Sequence, residues 1–191
     1  MKKQFFVLLA NMLLIFIIIG CKKKEIHSEE AFTSFLADST MNIKVTTNLS
    51  SYYEFGLKFQ TLVEGRIVKL GTILPNAGEY RVCVWDFSNK SVLLQQNVIQ
   101  NQANKLAWVN VSSLPLVVGK DYFISVLANN WNDAYPKSGR IIPYPLVKGN
   151  IKILGFAYKS QPSSIAPPVL PNEIDNNFSI SGFVDFGFVP K

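Results

Sequence analysis

The sequence predicts an all-β fold, an antiparallel two-sheet sandwich of jelly-roll or immunoglobulin-like type, over residues 42–191. Three observations predict it. From Asn42 onward the apolar side chains recur with period two rather than 3.6. Turn-forming residues punctuate these runs at short intervals, as in sandwiches built from many short strands. No long helical pattern interrupts them, and one apolar face per strand suits antiparallel strands packed on a single core.

The chain has 191 residues, and its start stands apart from the rest. Met1-Lys2-Lys3 is a short basic opening, followed by an apolar run from Phe5 to Ile19 that only Asn11 interrupts. A basic start, a short apolar stretch and a small residue before the cut mark a signal peptide over residues 1–20. The run is shorter than the roughly 20 residues of a spanning helix. Ile18-Ile19-Gly20-Cys21 resembles the bacterial lipobox, in which a diacylglycerol is attached to the cysteine thiol and the peptidase cuts just before it. Cys21 is therefore the expected lipidation site and membrane anchor. An uncleaved anchor helix is the alternative, and either places the rest of the chain outside the cytoplasm.

Losing Lys2 and Lys3 with the leader lowers the formal charge from +6 to +4. Lys and Arg are scattered rather than gathered on one face, which argues against a nucleic-acid partner. Lys22-Lys23-Lys24 is the one basic cluster, beside the lipid, and Glu25, Glu29 and Glu30 offset it. Residues 21–41 are expected as lipidated cysteine and tether. Within them Ser28-Glu29-Glu30 before Ala31-Phe32 would cap a short helix. The same apolar residues would equally suit a first edge strand. Lys22 stands where an aspartate resembles an inner-membrane retention signal, so an outer-membrane destination is expected, facing the periplasm or the surface.

The strand runs follow in order. Leu57, Phe59 and Thr61 alternate with Lys58, Gln60 and Leu62. Val82 and Val84 face one way, and Arg81, Cys83 and Trp85 the other. Tyr122, Ile124 and Val126 alternate with Phe123, Ser125 and Leu127. Ile151, Ile153 and Gly155 alternate with Lys152, Leu154 and Phe156. The last run sets Phe178, Ile180, Val184, Phe186 and Phe188 against Ser179, Ser181 and Asp185. Turns are expected at Glu64-Gly65, Pro75-Asn76-Ala77-Gly78, Ser88-Asn89-Lys90, Gly119-Lys120-Asp121 and Lys148-Gly149-Asn150. Residues 129–150 and 160–177 read as long, proline-rich irregular stretches, and loops of that length are often functional. Cys83 has no second cysteine once Cys21 is acylated, so the domain must stand on its core, and about 150 residues suffice.

Several segments together resemble a bacterial secreted module known as domain of unknown function 4082. They are Tyr53-Glu54-Phe55-Gly56-Leu57-Lys58-Phe59, Glu64-Gly65-Arg66-Ile67-Val68-Lys69-Leu70, Gly78-Glu79-Tyr80-Arg81-Val82 and Val84-Trp85-Asp86. Leu93-Leu94, Trp108-Val109-Asn110-Val111, Pro115-Leu116 and Gly119-Lys120-Asp121-Tyr122-Phe123 continue the likeness. Phe183-Val184-Asp185-Phe186-Gly187-Phe188-Val189-Pro190 is similar to that family's last strand. The resemblance covers most of residues 42–190 and departs from the family between Asn129 and Asn177. It implies a β-sandwich and accessory binding to polysaccharide or cell wall.

Chemistry is sparse. His27 is the only histidine and lies in the expected tether, so no Ser-His-Asp or Cys-His arrangement is available within the domain. Asp86, Asp121, Asp133, Glu173, Asp175 and Asp185 form no recognisable pair for glycoside hydrolysis. Asp86 reads as a turn cap and Asp185 as a satisfied structural carboxylate. No enzymatic activity and no cofactor is expected.

The binding candidate is Asn129-Asn130-Trp131-Asn132-Asp133-Ala134-Tyr135, read as a loop after a strand. Sugars present apolar C–H faces rimmed by hydroxyls, which suits the rings of Trp131 and Tyr135 beside Asn130 and Asp133. Tyr144 is a secondary candidate. The same oxygens are also of the type that holds a structural calcium ion. The plainer reading makes Trp131 a lid on the core and the asparagines turn formers. Tyr52, Tyr53, Trp85 and Trp108 read as core or sheet-face residues. Expected partners are the membrane through Cys21 and a glycan or, alternatively, an envelope protein.

Overall fold

In the second strand the period-two pattern turns Phe55, Leu57 and Phe59 toward the core. A computed structural model describes residues 27–37, 41–47, 51–139, 141–174 and 178–191. The leader, Cys21, the Lys22-Lys23-Lys24 triplet and Asp175 lie outside the described residues. Among the described residues a helix, α1 (Ala31–Leu36), precedes β1 (Met41–Thr47), β2 (Tyr52–Thr61), β3 (Gly65–Ile73), β4 (Gly78–Asp86), β5 (Ser91–Gln100) and β6 (Ala107–Leu116). Then come β7 (Tyr122–Ala128), β8 (Asn130–Pro136), β9 (Leu146–Lys148), β10 (Ile151–Gln161), β11 (Glu173–Ile174), β12 (Ile180–Ser181) and β13 (Phe183–Pro190).

The fold is an all-β sandwich of antiparallel sheets. One layer is a seven-stranded sheet in the order β11-β10-β2-β7-β4-β5, with β9 paired beside β10. Two three-stranded sheets, β13-β3-β6 and β1-β8-β12, supply the other layer. Phe55, Leu57 and Phe59 of β2 pair with Val126, Ile124 and Tyr122 of β7, so all six point into the sandwich. Val82 and Val84 continue that face on β4. From the opposing layer Phe186 meets Phe59 at 4.4 Å between ring centroids. Burying each such side chain contributes roughly 1.5–3 kcal/mol.

Every turn segment expected from the sequence falls at a strand connection. Six other expectations give way. Residues 29–36, expected as tether, are part of the sandwich: Glu29 bridges Phe188 by two backbone hydrogen bonds of 2.7 and 2.9 Å, and Ala31, Phe32 and Phe35 are buried. The helix forms there, but Ser28 does not cap it. Asp185 does, accepting the N–H groups of Phe32 and Thr33. Asp185 therefore lies beneath α1 and not on an outer polar face.

The final run is also not one strand. Gly182, at φ +64°, turns the chain between β12 and β13, and Phe178 is exposed. In β10 a bulge between Ile153 and Gly155 reverses the expected facing: Gly155 pairs with Lys58 on the outer face, while Phe156 and Tyr158 turn inward beside Leu57 and Phe55. Finally, the two stretches expected as irregular contain β8, β9, the last residues of β10, and β11.

The outer face of the seven-stranded sheet is itself partly covered. Residues 162–172 cross it, with Leu170 packed on a small cluster of Cys83, Trp85, Phe123 and Ala157. Beneath that cover Arg81 binds Glu54 at 2.7 Å and donates to the Ala166 carbonyl. Glu54 in turn accepts the Ser125 hydroxyl at 2.8 Å, and Ser125 accepts the Trp85 indole N–H at 2.9 Å. Burial pushes the Glu54 carboxyl above its ordinary value, and the Arg81 guanidinium opposes the shift.

Candidate functional site

The segment 130–136 is strand and not loop, and its alternation sorts the candidate residues. β8 lies between β1 and β12, with Trp131 opposite Thr46, and Asp133 opposite both Lys44 and Ser181. Trp131, Asp133 and Tyr135 occupy one face, and Asn130, Asn132 and Ala134 the other. The Asn132 amide donates to the Ile73 carbonyl and to Asn104 Oδ1, at 3.2 and 3.1 Å. Asn130 is buried and donates to Asn129 Oδ1 at 3.0 Å. Both amide nitrogens are thus committed to the fold. Asn130 cannot face a ligand beside Trp131, nor can its oxygen join Asp133 around a calcium ion. Among the described residues no three His, Cys, Asp or Glu side chains gather as a metal site.

Trp131 lies against Phe55 at 5.0 Å and edge-on to Tyr53 at 5.4 Å between centroids. It covers core rings, yet it also lines a bowl of about 290 Å³ with Tyr53, Phe55, Phe156, Tyr158, Ser179 and Ser181. Tyr53 and Tyr158 stand 6.3 Å apart, nearly perpendicular. Asp133 accepts the Ser181 hydroxyl at 2.5 Å on the same side. Aromatic rings therefore form the floor and wall, and tyrosine and serine hydroxyls line the same bowl. Tyr135 extends past the bowl along β8 and is not among the residues lining it.

Tyr144 is elsewhere. It lines a larger cavity, about 850 Å³, on the outer face of the seven-stranded sheet, with Trp85, Phe87, Phe123, Lys58 and the Pro168–Asn172 stretch. Its aromatic floor is closed: Trp85 is 3 % and Phe123 1 % exposed, under Leu170 and its neighbours. Lys58 Nζ is taken by Asp121 at 2.7 Å and lies over Phe87 at 4.1 Å. Phe87 and Tyr144 are half-buried there, with Lys58 Nζ over the Phe87 ring, whereas the bowl gathers three half-buried rings, those of Trp131, Tyr53 and Tyr158.

No family model matches the chain, and no curated protein matches it either. The bowl must therefore be read from its chemistry. Aromatic faces next to hydroxyl donors and acceptors suit a ligand with alternating C–H and O–H surfaces.

The remaining carboxylates are occupied. Asp86 accepts the Ser88 N–H and hydroxyl at 3.0 and 2.6 Å and pairs with Lys120 at 2.6 Å. The hydrogen bonds from Lys120 and Ser88 bring its pKa down to about 2. It caps the turn, as the sequence indicates. Glu173 pairs with Lys159. Sequence reasoning missed Tyr158, Ser179 and Ser181 and set Tyr53 aside as a sheet-face residue. The available signal was two aromatic pairs at period two, Tyr53/Phe55 and Phe156/Tyr158. That β2 and β10 are neighbours, and that the bulge at 153–155 turns the second pair inward, are not written in either segment alone.

Proposed function

We propose that this chain is a lipid-anchored, non-catalytic envelope protein that binds a carbohydrate or cell-wall polymer in the bowl around Trp131. One observation carries the reading: three half-buried rings, those of Trp131, Tyr53 and Tyr158, share a 290 Å³ depression with serine hydroxyls and stand beside a carboxylate. A pyranose ring stacks its C–H face on such a wall while its hydroxyls exchange hydrogen bonds with the rim. The resemblance to the secreted module and the lipobox-like Cys21 support an outer-membrane setting in which such polymers are the available ligands.

Trp131→Ala should abolish retention on glycan arrays and insoluble cell-wall polymer while the variant stays folded with the parent's circular dichroism spectrum, at a lowered melting temperature because the ring also covers Phe55 and Tyr53. Unchanged binding by that folded variant, or silence of the parent protein on both supports, overturns the reading.

A second reading, a structural lipoprotein that docks an envelope protein, is favoured by β5. This ten-residue strand forms one edge of the large sheet and exposes Val92, Leu93 and Ile99. An open edge accepts a partner strand. Crosslinking from Asn97 in intact cells would retrieve one protein reproducibly under this reading and nothing under the first.

A further inference from the structure

The turn joining β2 to β3 and the turn joining β6 to β7 make one apolar tip. Leu62 and Val63 in the first are 46 % and 37 % exposed, and Val117 and Val118 in the second are 62 % and 46 % exposed. A backbone hydrogen bond of 3.0 Å from Gly119 N–H to the Thr61 carbonyl holds the two turns together. Such a patch at the end of an otherwise well-packed sandwich calls for an occupant. Arg66 and Lys120 lie in the same turns or just beyond them, and Lys191 pairs with Glu64 at 3.0 Å.

The occupant is identified by where the chain enters the fold. The carboxylate of Glu29 accepts the backbone and side-chain N–H groups of Asn150, each at 2.7 Å, and the Asn150 carbonyl accepts the Leu62 N–H at 2.8 Å. Glu29 is thus two hydrogen bonds from the apolar tip. Only residues 22–28 separate it from Cys21, a stretch that extends at most about 25–30 Å. A lipid on Cys21 therefore tethers the domain through this end of the sandwich, which lies within about 25–30 Å of the bilayer.

We infer that Leu62, Val63, Val117 and Val118 rest in the surface of the bilayer that carries the Cys21 lipid. The contact orients the domain. It rests on the lipid-anchored reading above and deepens it. Tyr53 and Leu62 lie at opposite ends of β2, so the Trp131 bowl is held up to about 30 Å away from the tip. A ligand reaching it is a polymer standing off the membrane and not the head-group sugar of a lipid in the same leaflet. Apolar side chains at the interface with nearby basic groups are a known way for a second signal to strengthen a single lipid anchor.

The test uses the full lipidated protein in vesicles of phosphatidylethanolamine and phosphatidylglycerol. An environment-sensitive fluorophore is attached through Val118→Cys, through Leu62→Cys, or through Ile165→Cys at a nearly fully exposed position on the covering segment. Nitroxide-labelled lipid should quench the first two several-fold more than the third, with blue-shifted emission. Water-like emission at positions 118 and 62 on lipidated, vesicle-bound protein overturns the inference and leaves the anchor intact. Mass spectrometry showing no lipid on Cys21 overturns both.

Discussion

The Asp185 carboxylate accepts the Thr33 N–H at 2.7 Å, so the last strand caps the helix with which the fold opens. It also takes the N–H of Phe186 at 2.8 Å and that of Phe32 at 3.3 Å. Removing the acceptor by Asp185→Ala takes this partner from three N–H groups, two buried and one part-buried, at a cost of about 3 kcal/mol. Urea denaturation should show that loss, together with faster proteolysis between residues 29 and 36. An unchanged midpoint would contradict the capping role.

The same carboxyl gives the protein a pH dependence. Burial, opposed by these hydrogen bonds, raises its pKa from 3.8 to about 6. Because the folded value lies above the unfolded one, the stability from Asp185 is fully present below about pH 4 and is lost as pH rises through 6. The difference amounts to about 3 kcal/mol. Glu54, also raised, adds a slope of the same sign. Stability measured from pH 4 to 7 should therefore decline, and Asp185→Asn should remove most of that decline. A variant that follows the parent curve would count against a buried, titrating Asp185.

How much of this was legible in the sequence depended on whether one segment carried the signal alone. β2 and β7 were legible because each carries an apolar side chain at every second position, and these face the core. Asp185 was legible as a satisfied structural carboxylate, but not its partners: its own strand places it on the polar face, and only the packing of Phe32 and Phe35, from more than 140 residues earlier, buries it. Cys83 and Trp85 were placed on the correct face, but that face is dry because a distant proline-rich segment covers it. Trp131 and Asp133 were found as chemistry, whereas their partners Tyr53 and Tyr158 needed strand pairing and a bulge to reach them.

The covered face yields a prediction at Arg81. Its guanidinium neutralises Glu54, which is fully buried, and pins the covering segment through the Ala166 carbonyl. Arg81→Met strands a buried carboxylate and should cost about 3–5 kcal/mol. Glu54→Leu combined with Arg81→Met should recover much of that loss. Chemical denaturation of the single and double variants decides the matter, and a double variant no better than the single would exclude this pairing as the cause. Limited proteolysis should cut near Ile165 faster in both variants.

Cys83 should be chemically silent in the native state. Burial first, and the nearby Glu54 charge second, push its thiol up to about 12, so almost no thiolate exists at neutral pH. Ellman's reagent at pH 8 should leave it unmodified in buffer and titrate it fully in denaturant. Rapid labelling of the native protein would show that the covering segment leaves the thiol open.

Ser181 separates binding from stability. Its hydroxyl lies in the Trp131 bowl and donates to Asp133, and it contributes no apolar side chain to the core. Ser181→Ala should leave the unfolding midpoint within about 0.5 kcal/mol of the parent. Loss of one hydroxyl from the rim should weaken polymer binding by about tenfold, the worth of a single hydrogen bond to a charged or polar ligand group. Trp131→Ala tests the stacking wall, whereas Ser181→Ala tests whether the ligand's polar edge is read in the same place. Polymer affinity unaffected by Ser181→Ala, with Trp131→Ala still inactive, would mean that the ligand's polar edge is not read at Ser181.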